Sequence, residues 1–285
     1  MSQKVAVVTG GNKGIGFEIV KGLCQKFDGV VYLTARDVDR GSRAVEELKK
    51  EGLDPKFHQL DICDQQSLNT FKKHLEDNYG GLDILVNNAA IAFKVVLFQM
   101  ASTEPFSVQA EQTIHVNYTS LLETCHILFP LLKPHARVVN VSSSAGHLSR
   151  IPGESLKQKL ANPSLTEEEL TTLMNDFVQA AKNGNHSEQG WPNSAYSVSK
   201  VGVSALSFLQ QRAFDKDTRE DLVVNAVHPG YVKTDMSSQK GNLTPEEGAD
   251  APLFCALLAP YVQSPRGEYV WWNRKVVDWQ NDINV

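Results

Sequence analysis

The chain has 285 residues, 41% of them hydrophobic, and a formal net charge of −5. That length suits one large domain or two small ones, and the apolar fraction is that of a globular rather than a disordered protein. No basic block is present, which argues against nucleic acid or an anionic membrane surface as partner; the four cysteines are scattered, without a Cys-x-x-Cys pair, so neither a disulfide frame nor a zinc site is expected.

The opening MSQKVAVVTGG enters a strand pattern at once. It has no signal-peptide pattern, and no apolar run is long enough to span a bilayer, so a cytoplasmic location is expected. Strands are predicted at Val5 to Thr9, Val30 to Thr34, Phe57 to Leu60, Asp83 to Asn87, Arg137 to Val141 and Leu222 to Val227, with a last short one over Tyr269 to Trp272. These short runs are rich in β-branched residues, the pattern of strands covered on both faces and therefore parallel. Helical patterns lie near 14–27, 38–51, 65–79, 106–132, 194–214 and 246–259. The alternation predicts an α/β fold, a doubly wound parallel sheet in a single domain over 1–285.

The first strand runs into TGGNKGIG, Thr9 to Gly16. Its glycines permit a tight turn and let a pyrophosphate approach the backbone, and the helix that follows offers free N–H groups and the positive end of its dipole. Gly10, Asn12, Lys13, Gly14, Ile15 and Gly16 are the candidate contacts. The second strand ends at TARD, where an NAD-binding sheet commonly carries an acidic residue for the ribose hydroxyls. Here Ala35 and Arg36 stand there, with Arg40 a turn later and Lys13 in the glycine loop, a set of cations suited to a 2′-phosphate. NADP(H) is therefore the expected cofactor. Arg40 reads equally well as a solvated surface charge, and Asp37 fits beside a phosphate only if the helix start turns it away.

Between Arg150 and Gly190 the rhythm of strands and helices breaks. Within this 150–190 insertion Thr166 and Glu169 form a capping box. Leu170, Leu173, Met174, Phe177, Val178 and Ala181 make one apolar stripe, and Gly184 ends the helix. The chain then reaches SAYSVSK, where Tyr196 and Lys200 share one helix face. Alone, such a pair is an ordinary surface feature.

TGGNKGIG, LVNNAA, NVSSSAG and Tyr196-x-x-x-Lys200 occur in an order and spacing that resemble the short-chain dehydrogenase/reductase family across essentially the whole chain. TARD, GWPNSAY, HPGYVKTDM and PEEGA look most similar to its monomeric NADPH-dependent carbonyl reductases. The resemblance implies a Rossmann-type fold, NADPH as cofactor and a small carbonyl compound as substrate. It implies Tyr196 as general acid, Lys200 as its partner that also holds the nicotinamide ribose, Ser143 as donor to the substrate carbonyl, and Asn117 as anchor of a proton-relay water. It places Asp61 and Ile62 at the adenine edge and Asn88 and Ala89 beneath the cofactor. Pro229, Gly230, Val232 and Thr234 fall in the loop that meets the nicotinamide amide. Phe93, Trp191 and Tyr231 are candidates for an apolar substrate pocket, although the tryptophans also read as packing residues. His228 reads as a strand-end residue. Ala90 departs from the family's usual NNAG.

The chemistry needs these residue types. Reducing a ketone places a hydride on carbon and a proton on oxygen. A free phenol titrates near about 10, and a neighbouring ammonium is expected to lower that value. A serine hydroxyl stabilises the charge that grows on oxygen. Apolar or aromatic ketones, quinones and aldehydes are the expected substrates. A steroid or prostaglandin oxidoreductase, or a non-catalytic NADP(H)-binding sensor, are the alternatives. Ser143 and Tyr196 stand 53 positions apart, far more than in most members of the family. The extra segment is expected to cover the helix face that oligomeric relatives bury against a second subunit, making the chain a monomer; a lid over the substrate mouth is the other reading.

Overall fold

A computed structural model of the chain describes residues 3–93 and 104–282. Among these residues β1 (Val5–Val8), β2 (Val30–Ala35), β3 (Lys56–Gln59), β4 (Leu82–Asn87), β5 (Leu132–Val141), β6 (Val223–Val227) and β7 (Tyr269–Val270) form one sheet. Its order is β3-β2-β1-β4-β5-β6-β7, with every neighbouring pair parallel. The helices are α1 (Gly14–Lys26), α2 (Val38–Lys50), α3 (Gln65–Tyr79), α4 (Phe106–Ile114), α5 (Ser120–Leu128), α6 (Glu154–Leu160), α7 (Glu167–Lys182), α8 (Ala195–Phe214) and α9 (Pro245–Ala256).

The central strands are largely apolar because both faces are covered. In β1, Ala6 and Val8 pack with Ile19, Val20 and Leu23 of α1 and with Leu253 of α9. Val5 and Val7 point the other way, among Phe71 and Leu75 of α3 and Leu128 of α5. This alternation puts every residue of β1 in a core, each buried aliphatic side chain contributing about 1.5–3 kcal/mol of transfer free energy. No helix among the described residues is long and apolar enough to cross a membrane.

The single helix expected over 106–132 is instead divided. After α4 comes a π-helical segment, His115–Thr119, then α5, then a 3-10 turn at Phe129–Leu131. Pro130 ends the helix because it lacks an N–H and its ring clashes with the preceding turn. The strand β5 starts at Leu132, earlier than expected, through a stretch where His135 takes a φ of +66°.

The 150–190 insertion holds two helices rather than one; α6, with seven residues, is too short to leave a periodic pattern. The capping box of Thr166 and Glu169 is present on α7, and Gly184 leaves it at a φ of +72°. All six residues of the stripe are buried. They lie over α4 and α8, where the Tyr118 hydroxyl meets Thr171 Oγ1 at 2.9 Å and Lys182 Nζ meets Glu111 Oε1 at 2.7 Å. The approach to α8 depends on Gly202, since a Cβ there would stand 2.7 Å from Met174 Sδ.

Candidate active site

The chain leaves β1 and β4 toward opposite edges of the sheet, which opens a crevice beyond their carboxyl ends. A cavity of about 680 Å³ occupies it. Gly10, Asn12, Lys13, Gly14, Ile15 and Gly16 line one wall; Asn88, Ala89, Ala90, Ile91 and Ala92 line another. Thr9 locks the walls together: its Oγ1 accepts from the backbone N–H groups of Asn88 and Ala89, both at 3.0 Å, while Asn88 Nδ2 donates to the oxygens of Thr9 and Gly10. Gly14 has a φ of +57°, which favours glycine, and a Cβ at Gly16 would lie 2.4 Å from Asn88 Nδ2. Ala90 does not have a positive φ, so the local backbone does not require glycine there.

Helix α1 begins in this crevice with no acidic residue in its first turn and no side-chain cap. Its N-terminal N–H groups and dipole are left to an anion. The turn and helix start therefore fit a dinucleotide pyrophosphate. Ala35, Arg36, Asp37 and Arg40 continue the lining, and Asp61 and Ile62 close it on the β3 side. Asp37 is the N-cap of α2, accepting from Arg40 N at 2.9 Å, so its carboxylate is turned onto the helix start. The expected trio of cations is modified. Arg40 Nε pairs with Asp37 at 3.0 Å and Lys13 Nζ with Asp235 at 2.7 Å. Arg36 has no ion pair among the described residues, and a 2′-phosphate would find its charge uncommitted.

Ser143 follows β5, and α8 carries Tyr196 and Lys200. The Ser143 hydroxyl, whose oxygen accepts from Ala145 N at 3.1 Å, lies near enough to the Tyr196 phenol to favour its ionised form. The Lys200 side chain is buried; its Nζ donates to Val141 O at 2.7 Å and lies 5.8 Å from the Tyr196 ring centre. Burial lowers the Lys200 ammonium to about 8. The expectation of a lowered phenol is not met: desolvation raises the Tyr196 hydroxyl above its ordinary value, and the nearby Ser143 hydroxyl offsets this only in part. Lys200 sits over the ring rather than at the oxygen, and desolvation wins.

Asn117 is buried in the π-helical segment. Its Oδ1 accepts from Ile91 N at 2.8 Å, and its Nδ2 donates to Ile91 O at 2.9 Å and Ser199 Oγ at 3.0 Å. Both amide hydrogens are thus committed to protein. The side chain braces the groove wall at Ile91. Ser199, one residue before Lys200, carried no signal of its own in the sequence.

The loop after β6 is only partly in the groove. Thr234 lines it, whereas Val232 is buried, bridges Leu243 and packs on Gly248 of α9. Pro229 and Gly230 lead into this loop without lining the cavity, Gly230 at a φ of +92°. Met236 and Gln239 line the groove and were not foreseen. Tyr231 is 53% exposed and available to a ligand, and Phe93 is half-buried. Trp191 is a correction: it is 2% exposed, packed 5.5 Å from the Phe177 ring, and belongs to the core under the insertion. His228 is buried against Trp271, and desolvation lowers it to about 4, so it is neutral. Among the described residues no group of three or more side chains gathers as a metal site.

A family model described as short chain dehydrogenase matches residues 4–155. Carbonyl reductase (NADPH) 1 of Rattus norvegicus is 49% identical over 277 residues, covering 96% of this chain and 98% of that protein. The protein of the same name from Homo sapiens is 49% identical over 278 residues. Among solved structures, salutaridine reductase from Papaver somniferum superposes with a TM-score of 0.84 at 33% identity, over 94% of this chain and 99% of that one.

Proposed function

The chain belongs to the short-chain dehydrogenase family as an NADPH-dependent carbonyl reductase, and we propose that it reduces apolar or aromatic ketones, quinones and aldehydes with Tyr196 as the general acid. The observation that carries this reading is the convergence of Ser143, Tyr196 and a buried Lys200 whose ammonium lies 5.8 Å from the Tyr196 ring centre. NADPH, when bound, supplies the hydride that ends on the carbonyl carbon.

The protein's own residues manage the oxygen. Ser143 donates to it as charge grows there. Tyr196 gives it a proton, and burial keeps that phenol protonated at neutral pH, the form reduction needs. Lys200, tied to Val141, presents a positive charge beside the phenol that stabilises the phenolate left behind. Asn117 and Ser199 hold Ile91 and α8 in register. Gly10, Gly14 and Gly16 with the start of α1 hold the pyrophosphate, and Arg36 the 2′-phosphate. Tyr231 and Phe93 offer aromatic surface to an apolar substrate. The buried α7 stripe supports a monomer, since the face it covers needs no second subunit.

The experiment is a substrate panel at fixed pH, following loss of NADPH absorbance with aromatic ketones, quinones, aliphatic aldehydes and polar sugars. Higher kcat/KM for the apolar members is expected. Equal or better turnover of the polar carbonyls would contradict the substrate class, and NADPH binding without turnover of any member would contradict the enzyme.

A further inference from the structure

The turn that carries Ser143 is closed locally by Gly146 N donating to Ser143 O at 2.8 Å and Ala145 N donating to Ser143 Oγ at 3.1 Å. Ser143 itself is in extended backbone, and the segments that follow, Ser144–Gly146 and Leu148–Arg150, are isolated three-residue 3-10 turns. Ser142 ties its start to α8 through Lys200 O at 3.2 Å and Ser204 Oγ at 2.7 Å, and a second set of contacts comes from more than 120 positions away, in the C-terminal segment. The Tyr269 hydroxyl donates to the main-chain oxygen of Ser143 at 2.5 Å. Trp279 Nε1 donates to Gly146 O at 2.6 Å, and Leu148 N donates to Trp279 O at 3.2 Å. His147 Nε2 meets Asp278 O at 3.0 Å.

This segment is rigid enough to act as a reference. Tyr269 is in β7, paired with Ala226 of β6 and therefore part of the sheet. Beyond it the chain folds back through Trp271 N to Lys275 O at 2.8 Å, Val277 N to Tyr269 O at 2.9 Å, and the Val270–Val276 bridge. Tyr269 is 1% exposed and Trp279 5%, so water does not readily replace either donor. Burial also drives the Tyr269 phenol far above its ordinary value, which keeps it a donor throughout the neutral range.

We propose that Tyr269 is a positioning residue for carbonyl reduction: its hydroxyl, seconded by the Trp279 indole, fixes the turn that aims Ser143 at the substrate oxygen. The inference rests on the reading of Ser143 as the carbonyl donor. Tyr269 touches neither substrate nor cofactor in this account; it acts through the Ser143 backbone. A displacement of the order of an ångström at a reacting group costs about 10²-fold in rate, so loss of one buried hydrogen bond to that turn has a visible effect without destroying the fold.

The test is a double-mutant cycle. Tyr269→Phe keeps the ring in the core and removes only the donor. It is expected to lower kcat/KM for a carbonyl substrate by about tenfold, the equivalent of one buried hydrogen bond, with KM for NADPH unchanged. In a Ser143→Ala background the same substitution is expected to change the rate less than about twofold, because the group it positions is gone. An equal loss in both backgrounds, or wild-type kcat/KM in Tyr269→Phe, overturns the proposal. Wild-type turnover in Ser143→Ala alone overturns the reading of Ser143 itself and this inference with it. If Tyr269→Phe does not yield folded protein, Trp279→Phe is read through the same cycle with the same two outcomes.

Discussion

Asn117 Nδ2 donates to Ser199 Oγ at 3.0 Å, and Ser199 in turn donates to the main-chain oxygen of Tyr196 at 2.8 Å. One hydroxyl thus joins the π-helical segment to the first turn of the helix that carries Tyr196. Through Asn117 the same chain of bonds reaches Ile91, on the wall of the dinucleotide groove. The groove wall and the helix that carries Tyr196 are joined by one buried polar network, which is rigid only while every member is satisfied.

Ser199→Ala breaks that link at its middle. It leaves one amide hydrogen of Asn117 buried without an acceptor, at a cost of about 1–3 kcal/mol. A fall in thermal stability and a several-fold drop in kcat are expected together. Calorimetry and steady-state kinetics on the same preparation check this, and Ser199→Thr, which restores the hydroxyl, is expected to recover most of both.

The pH dependence follows from two desolvated groups shifted in opposite senses. The Tyr196 phenol is raised and stays protonated through the neutral range. The Lys200 ammonium is lowered to about 8, so it is charged below that pH and neutral above it. Reduction is therefore expected to be most efficient below about pH 8 and to decline above it as Lys200 loses its proton. A kcat/KM profile with saturating NADPH measures this. His228, held neutral near 4, does not titrate in that window, so His228→Asn is expected to leave the profile in place.

At the ribose end the cations are not equivalent. Lys13 already faces Asp235, whereas Arg36 has no ion pair among the described residues. Arg36→Ala is expected to raise KM for NADPH by at least tenfold, the loss of a charge-assisted contact to phosphate, and to leave KM for NADH nearly unchanged. Lys13→Ala is expected to do the same more weakly. Initial rates with each cofactor separate the two.

What could be read in advance, and what could not, divides along the distance of the contact. Strand runs such as VAVVT and the turn TGGNKGIG carry their structure locally, in β-branched side chains and in glycines, so their places in the sheet and crevice follow from the chain itself. The stripe from Leu170 to Ala181 is equally local and is buried as its periodicity requires. The division of the 106–132 helix was hidden because Asn117 reaches across to Ile91, 26 positions away. The Trp191 environment depends on Phe177 in the insertion, and the Ser143 turn on Tyr269 and Trp279. The raised phenol of Tyr196 was missed for another reason: spacing shows that Lys200 is near, but only the fold shows that Lys200 is buried, that Tyr196 is partly buried and desolvated, and that the ammonium lies over the ring.

The inserted helix offers a stability test. Phe177 is fully buried between the rings of Phe106 and Trp191. Phe177→Ala is expected to cost about 3–5 kcal/mol, and Leu173→Glu with Phe177→Glu to unfold the insertion or expose α4 and α8 to self-association. Light scattering during gel filtration is expected to give the wild type a concentration-independent mass near 31.5 kDa. A mass of twice that value at all concentrations would contradict the monomer.

The measurement that bears most directly on the mechanism is the turnover of Tyr196→Phe at saturating substrate and NADPH. The substitution keeps the ring and removes the proton to be transferred. The account predicts an unchanged fold by circular dichroism, NADPH affinity close to that of the wild type, and kcat lower by at least the ~10²-fold typical of a lost general acid. A Phe variant that turns over at the wild-type rate would contradict it.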